Sequence, residues 1–336
     1  MFQRLFLLPL LFLQLAASEM KECSGLPFVA KHIYGASPPV NYLLYAVDPS
    51  LLVGLNFPLR RHEEAYFGDV SGLPVIGGWF GQGRTPNLEM LAAVAPDLTI
   101  TWNYRGDFGR IAKTLDGLGL VSCALPIDRL DDYPEAFRTL GKITQKEARG
   151  QALADDFERR LQAAEAVRLK HSGKKAPRVY YAEGPDGLKT ECSGSVHAEL
   201  IERAGGENVH RCSITGGFGM EQITVEQLLL YDPDLIIVFD PSFYKKIFGD
   251  ERFSRLKAVK EGKVYPIPRS PVNWFDRPPS FMRIAGLEWL QHRLWPEATD
   301  GALVQSLKGF FELYFKRKMS PDEIRLLLYP RQEEKR

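Results

Sequence analysis

Glu89-Met90-Leu91-Ala92-Ala93-Val94-Ala95-Pro96-Asp97-Leu98-Thr99-Ile100 and, 137 residues further on, Glu226-Gln227-Leu228-Leu229-Leu230-Tyr231-Asp232-Pro233-Asp234-Leu235-Ile236-Ile237 share one pattern, E-x-L-x-x-x-x-P-D-L-x-I. Each copy reads as a short helix, a stop and a buried strand. Proline cannot continue the helix, because it lacks the backbone N–H and its ring clashes with the preceding turn. The apolar runs Leu98 to Trp102 and Leu235 to Phe239 suit parallel strands covered on both faces. Asn87 and Thr224 stand two residues before the respective glutamates and are suitable helix N-caps.

Two copies of one unit divide the 336-residue chain into halves, and the segment between them indicates how they are joined. From Thr144 to about Lys170 there is no proline and one glycine, while Leu153, Phe157, Leu161, Ala164 and Val167 recur at helical spacing. This predicts one amphipathic helix of roughly 40 Å at 1.5 Å per residue, a stiff connection. It ends at His171-Ser172-Gly173 and Pro177, and a new strand opens at Arg178-Val179-Tyr180-Tyr181. Further strands are expected in Phe28 to Tyr34, Val121 to Pro126 and Lys263 to Ile267. Helices are expected after Pro278-Pro279-Ser280 (Phe281 to Leu294) and after the capping sequence Ser320-Pro321-Asp322-Glu323. The fold expected is α/β: two Rossmann-like lobes with mainly parallel sheets, joined by one long α-helix. The divisions are a leader at 1–18, a first lobe at 19–143, the bridging helix at 144–174, a second lobe at 175–290 and C-terminal helices packing on the lobes at 291–336.

The leader reads from Arg4, the apolar run Leu5 to Leu15, and small residues Ala16-Ala17-Ser18, the layout of a secretory signal peptide cut near Ser18. Export makes Cys23, Cys123, Cys192 and Cys212 candidates for disulfides. Cys192 and Cys212 flank one helix-like segment and are the favoured pair; Cys23 with Cys123 would then be the second, and four cysteines permit three connectivities. Hydrophobic residues make up 45% of the chain, charged residues 25%, and the formal charge is +1, so no bulk field points to nucleic acid. No partner of that kind is expected, and the protein is expected to be a monomer.

Ligands of open α/β sheets bind beyond the carboxyl ends of the strands. The loops there, with Gly77 to Arg84, are rich in glycine, proline, aromatics and arginine. Tyr34, Trp79, Arg84, Tyr104, Arg105, Arg269, Trp274, Phe275 and Arg277 are the candidate ligand contacts. Rings bury flat apolar surface, and guanidinium forks meet carboxylates or oxyanions bidentately. Gly77 to Gly83 lacks the endings of phosphate loops, and no H-E-x-x-H occurs. His197, where a loop enters a helix near the cleft, is the candidate metal or chelate ligand. No catalytic constellation stands out, so the expectation is a binding protein without a cofactor, not an enzyme.

With these features in hand, the chain resembles the iron-siderophore and cobalamin class of periplasmic binding proteins, whose lobes are joined by one rigid helix. The resemblance is carried by Asn87-Leu88-Glu89 with Pro96-Asp97-Leu98, by Thr224-Val225-Glu226-Gln227 with Pro233-Asp234-Leu235, by Gly205-Gly206-Glu207-Asn208-Val209, and by Val264-Tyr265 with Ser270 through Ser280. It implies a class III architecture in the periplasm and an ABC permease of the inner membrane as partner, with Glu89 and Glu226 docking into arginine pockets. The implied ligand is a metal chelate: a ferric siderophore or a similar iron, nickel, haem or corrinoid complex. A molybdate- or tungstate-type oxyanion is the alternative. A metal-cluster enzyme on a related two-lobed fold would need clustered Cys or His ligands, and these cysteines are dispersed.

Overall fold

Leu98–Trp102 is buried along its first four residues and forms the centre of a three-stranded sheet in the computed structural model. The structure describes residues 22–79, 85–102, 108–213, 219–297 and 300–329; the proposed leader lies outside them. The first lobe runs β1 (Ile33–Gly35), α1 (Pro38–Val47), α2 (Arg61–Phe67), α3 (Leu88–Val94), β2 (Leu98–Trp102), α4 (Phe108–Gly117), β3 (Ser122–Leu125) and α5 (Tyr133–Ile143). Its strands are all parallel in the order β1-β2-β3. After α6 (Glu147–Lys170), the second lobe comprises β4 (Arg178–Ala182), β5 (Lys189–Thr190), α7 (Glu199–Arg203), β6 (Glu207–Asn208), β7 (Glu221–Gln222), α8 (Val225–Tyr231), β8 (Leu235–Val238), α9 (Pro241–Lys246), α10 (Lys257–Lys260) and β9 (Val264–Pro266). Its main sheet, β6-β4-β8-β9, is again wholly parallel, and β5 pairs with β7 antiparallel alongside. Three helices, α11 (Arg283–Leu294), α12 (Asp300–Phe315) and α13 (Pro321–Leu328), complete the described chain.

The repeated sequence is repeated geometry. Asn87 accepts a hydrogen bond from the Met90 N–H (3.0 Å), and Thr224 accepts one from Gln227 N–H (3.2 Å), so each N-cap satisfies one orphan donor of its helix. Both helices close on a left-handed residue, Ala95 (φ 43°) and Asp232 (φ 36°). The following aspartates then fasten strand to strand. Asp97 accepts from the Lys31 and His32 N–H groups at 3.0 and 2.9 Å, and Asp234 accepts from Arg178 N–H at 2.9 Å. This clasp explains why the expected strand over Phe28 to Tyr34 shrinks to Ile33–Gly35. The donors of Lys31 and His32 go to a side chain and that of Ala30 to the Ile143 carbonyl, so none enters a ladder.

The bridging helix spans 24 residues, about 36 Å at 1.5 Å per residue. Its one glycine, Gly150, lies where a Cβ would meet the Phe137 carbonyl oxygen at 2.5 Å and Gly141 Cα at 2.9 Å, so α5 and α6 touch backbone to backbone. Arg149 donates to the Ala46 carbonyl (2.7 Å) and the Leu313 carbonyl (2.5 Å), and Gln291 donates to the Ala164 carbonyl (2.7 Å). Helix α6 is thereby tied to α1, α12 and α11. Two disulfides close loops: Cys23–Cys123 spans 100 residues and Cys192–Cys212 spans 20. On the chain-entropy account they stabilise by roughly 3 to 5 kcal/mol each.

Candidate functional site

The loops that leave the strands of both lobes meet around a cavity of about 430 Å³. The first lobe lines it with α1 residues Asn41, Tyr42 and Tyr45, with Leu52 and with the segment Leu55 to Arg60; the second contributes Arg269, Val272, Asn273, Arg277 and Pro278. Tyr42 and Phe67 stack with ring centroids 5.7 Å apart, forming part of an aromatic wall. Three arginines and one glutamate, Glu63, are the charged groups on the lining.

These arginines are not equivalent. Arg277 is already neutralised: its Nε lies 2.7 Å from Glu183 Oε1 and 3.2 Å from Asp276 Oδ2, and its Nη2 pairs with Glu191. All three carboxylates are wholly buried. Burial pulls the Arg277 guanidinium down, but Asp276, Glu183 and Glu191 outweigh it and hold the charge firmly. The cage extends outward: Ser195 Oγ donates to Glu191 at 2.9 Å, Tyr181 Oη donates to Asp276 at 2.6 Å, and His197 Nδ1 lies 3.1 Å from Asp276 Oδ2. Arg269 differs. Its Nη1 donates to the Phe239 carbonyl at 3.1 Å and its guanidinium lies 5.0 Å over the Phe239 ring.

Asn273 is oriented by its backbone surroundings. Its Oδ1 accepts from the Phe275 and Asp276 N–H groups at 2.7 and 3.0 Å, which assigns the other amide end as donor. That Nδ2 has no partner among the described residues, although the residue is only 4% exposed.

Glu183 gives the cage a pH signature. Burial, reinforced by Asp276, raises its carboxyl from 4.5 to about 8 despite the opposing Arg277. A carboxyl raised in the folded state contributes stability that is complete below the unfolded value and is lost as pH rises through the folded one. Glu183→Gln retains an acceptor for Arg277 but cannot ionise. Melting curves should therefore show the wild type losing stability as pH rises from about 4.5 to about 8 while the variant changes much less. Parallel curves for the two proteins would refute the assignment.

Arg269 and Arg277 reach the cavity. Arg84, Tyr104 and Arg105 lie outside the described residues. Tyr34, Trp274 and Phe275 are corrections, each being fully buried. Tyr34 donates to the Gly77 carbonyl at 2.6 Å, Trp274 Nε1 donates to the Ser270 carbonyl at 2.9 Å, and Phe275 packs on Tyr181. Trp79 is half-buried against the cluster around Tyr34 and does not line the cavity. His197 is 8% exposed beside Asp276. The group of His, Cys and carboxylate atoms close enough to share a cation among the described residues is instead Cys192, His210 and Cys212, whose sulfurs are joined in the disulfide. Glu89 and Glu226 are both exposed at the second position of their helices. The Glu226 N–H and the Thr224 hydroxyl hold the Glu226 carboxyl below its ordinary range.

Sequence reasoning missed Tyr42, Asn56, Phe57, Arg60 and Asn273. A usable signal was present in Leu51-Leu52-Val53-Gly54-Leu55. Leu52 bridges Ile33 and Leu55 bridges Val75, both in parallel, so this run continues the first sheet at its edge and Asn56 to Arg60 is another loop at a carboxyl end.

Two parallel sheets, one rigid helix and a cavity between loop tips define a class III binding-protein architecture. The chain belongs to the periplasmic binding protein family, whose sequence profile matches residues 79–271. An ABC transporter solute binding protein from Sulfurospirillum deleyianum is 37% identical, with a TM-score of 0.83 over 90% of this chain and 95% of that one. The molybdate-binding protein MolA of Haemophilus influenzae is 24% identical over 265 residues, 72% of this chain and 73% of MolA. A vitamin B12-binding protein of Salmonella typhi is 28% identical over 204 residues, 60% of this chain and 69% of the relative.

Proposed function

We propose that this periplasmic binding protein is the solute-receiving component of an ABC importer, and that it captures a metal chelate between its lobes and delivers it to a permease. The observation that carries this reading is the cavity itself. Its volume of about 430 Å³ is that of a small-molecule site, its walls are aromatic and aliphatic, and its charged lining is predominantly cationic. Delivery is read from Glu89 and Glu226, exposed at equivalent helix starts of the two lobes. A carboxylate in a first turn is favoured by the helix dipole and presented outward. A molybdate-type oxyanion is the second reading, favoured by the likeness to MolA.

Titration calorimetry with ferric tricitrate, cyanocobalamin and sodium molybdate separates the two. Micromolar or tighter binding of a chelate, with molybdate at least tenfold weaker, supports the first reading. Tight binding of molybdate alone supports the second. Metal analysis of protein purified from its own compartment identifies the natural cargo.

A further inference from the structure

Of the three arginines on the cavity wall, the caged Arg277 has its charge spent, and two remain. Arg60 belongs to the first lobe and is exposed; Arg269 belongs to the second. Neither has a carboxylate within ion-pair distance among the described residues. The nearby Glu63 uses its carboxylate on the Arg60 backbone N–H at 2.7 Å, closing the first turn of α2.

We infer that Arg60 and Arg269 form an anion clamp across the two lobes, and that it takes a ligand face carrying at least two negative charges. This rests on the reading of the cavity as the ligand chamber and adds the charge class of what enters it. Two guanidinium groups facing one space from opposite lobes repel when it is empty; a dianion between them replaces that repulsion with two charge-assisted contacts. Consistent with that proximity, burial and then the Arg60 charge draw the Arg269 guanidinium below its ordinary range. A monoanion would satisfy only one side. The ligand is therefore a compact dianionic oxyanion or a chelate with a carboxylate- or phenolate-rich rim.

The test uses Arg60→Gln and Arg269→Gln, the latter keeping an amide that can donate to the Phe239 carbonyl, with ferric tricitrate, sodium molybdate and cyanocobalamin as probes. Whichever anion binds the wild type should bind each variant about 10- to 100-fold more weakly, the loss expected for a charged hydrogen bond. Its affinity should also fall less steeply with salt in each variant than in the wild type. The empty Arg60→Gln protein should melt no lower than wild type, whereas a merely structural arginine would lower the melting point with the affinity. Undiminished anion binding by Arg60→Gln overturns the clamp. Binding of cyanocobalamin, which has no net charge, without either anion overturns the clamp and leaves the chelate reading intact. Binding of molybdate alone, with the loss in both variants, upholds the clamp and removes the chelate reading.

Discussion

Glu89→Arg combined with Glu226→Arg is expected to leave ligand affinity within a factor of about two, since both side chains lie outside the cavity, and to abolish transport by the reconstituted importer. Both glutamates sit at exposed second positions of capped helices and make no ion pair among the described residues. Reversal thus costs the fold only surface terms: the favourable place of each carboxylate at a helix start and, for Glu226, its contacts with its own N–H and the Thr224 hydroxyl. In the proposed docking, each reversal would bring a like charge to the arginine pockets of the permease. Such contacts cost several kcal/mol, so the doubly reversed protein should stimulate ATP hydrolysis on the order of a hundredfold less well. Each single reversal should retain one engaged lobe and give an intermediate loss. The decisive control is a permease carrying acidic residues in the facing pockets, which should recover the double variant and reject the wild type. A fall in calorimetric ligand affinity would remove these residues from a docking role.

Arg160→Met should be the most damaging single change in the bridging helix, lowering stability by about 3–5 kcal/mol. Arg160 is 3% exposed. It reaches Asp156 Oδ2 and Glu288 Oε1 at 2.6 Å each, Ser306 Oγ at 2.9 Å and the Ser306 carbonyl at 3.1 Å. One guanidinium therefore unites α6, α11 and α12. Methionine fills much of the same volume but, among the described residues, leaves Glu288 with no cation and only the Ser306 hydroxyl, and Asp156 with Arg159 alone as a cation. The midpoint of denaturant unfolding should fall accordingly. Adding Asp156→Leu and Glu288→Met should restore most of the loss, because it is the orphaned charge and not the missing bond that destabilises. A triple variant no better than the single one would mean that packing around the guanidinium dominates.

How far the fold could be read depended on how local its causes were. The helix, proline, aspartate and strand of each repeat interact with near neighbours, and the capping and clasping that hold them are written in the motif. The site was less legible because its geometry is set by elements far apart in the chain. The loop Arg269 to Arg277 looks, from its proline and aromatic content, like an exposed rim. Helix α11 lies directly over it: at Gly286 a Cβ would be 1.8 Å from the Trp274 carbonyl oxygen. That contact sends Trp274 and Phe275 into the core and leaves Asn273, Arg269 and Arg277 at the cavity. Arg60 was passed over because the edge run before it is held by single bridges and is too short to signal a strand.

The last long helix does not pack only where it emerges. Phe315 lies 6.3, 5.9 and 5.6 Å from the rings of Tyr45, Tyr66 and Phe67, all in the first lobe. A ribosome or translocation channel releases those three rings long before it releases their partner. For most of synthesis the leading half therefore exposes an oily patch that only the trailing end can cover, so a chain halted short of Phe315 would be a substrate for holding chaperones and proteases.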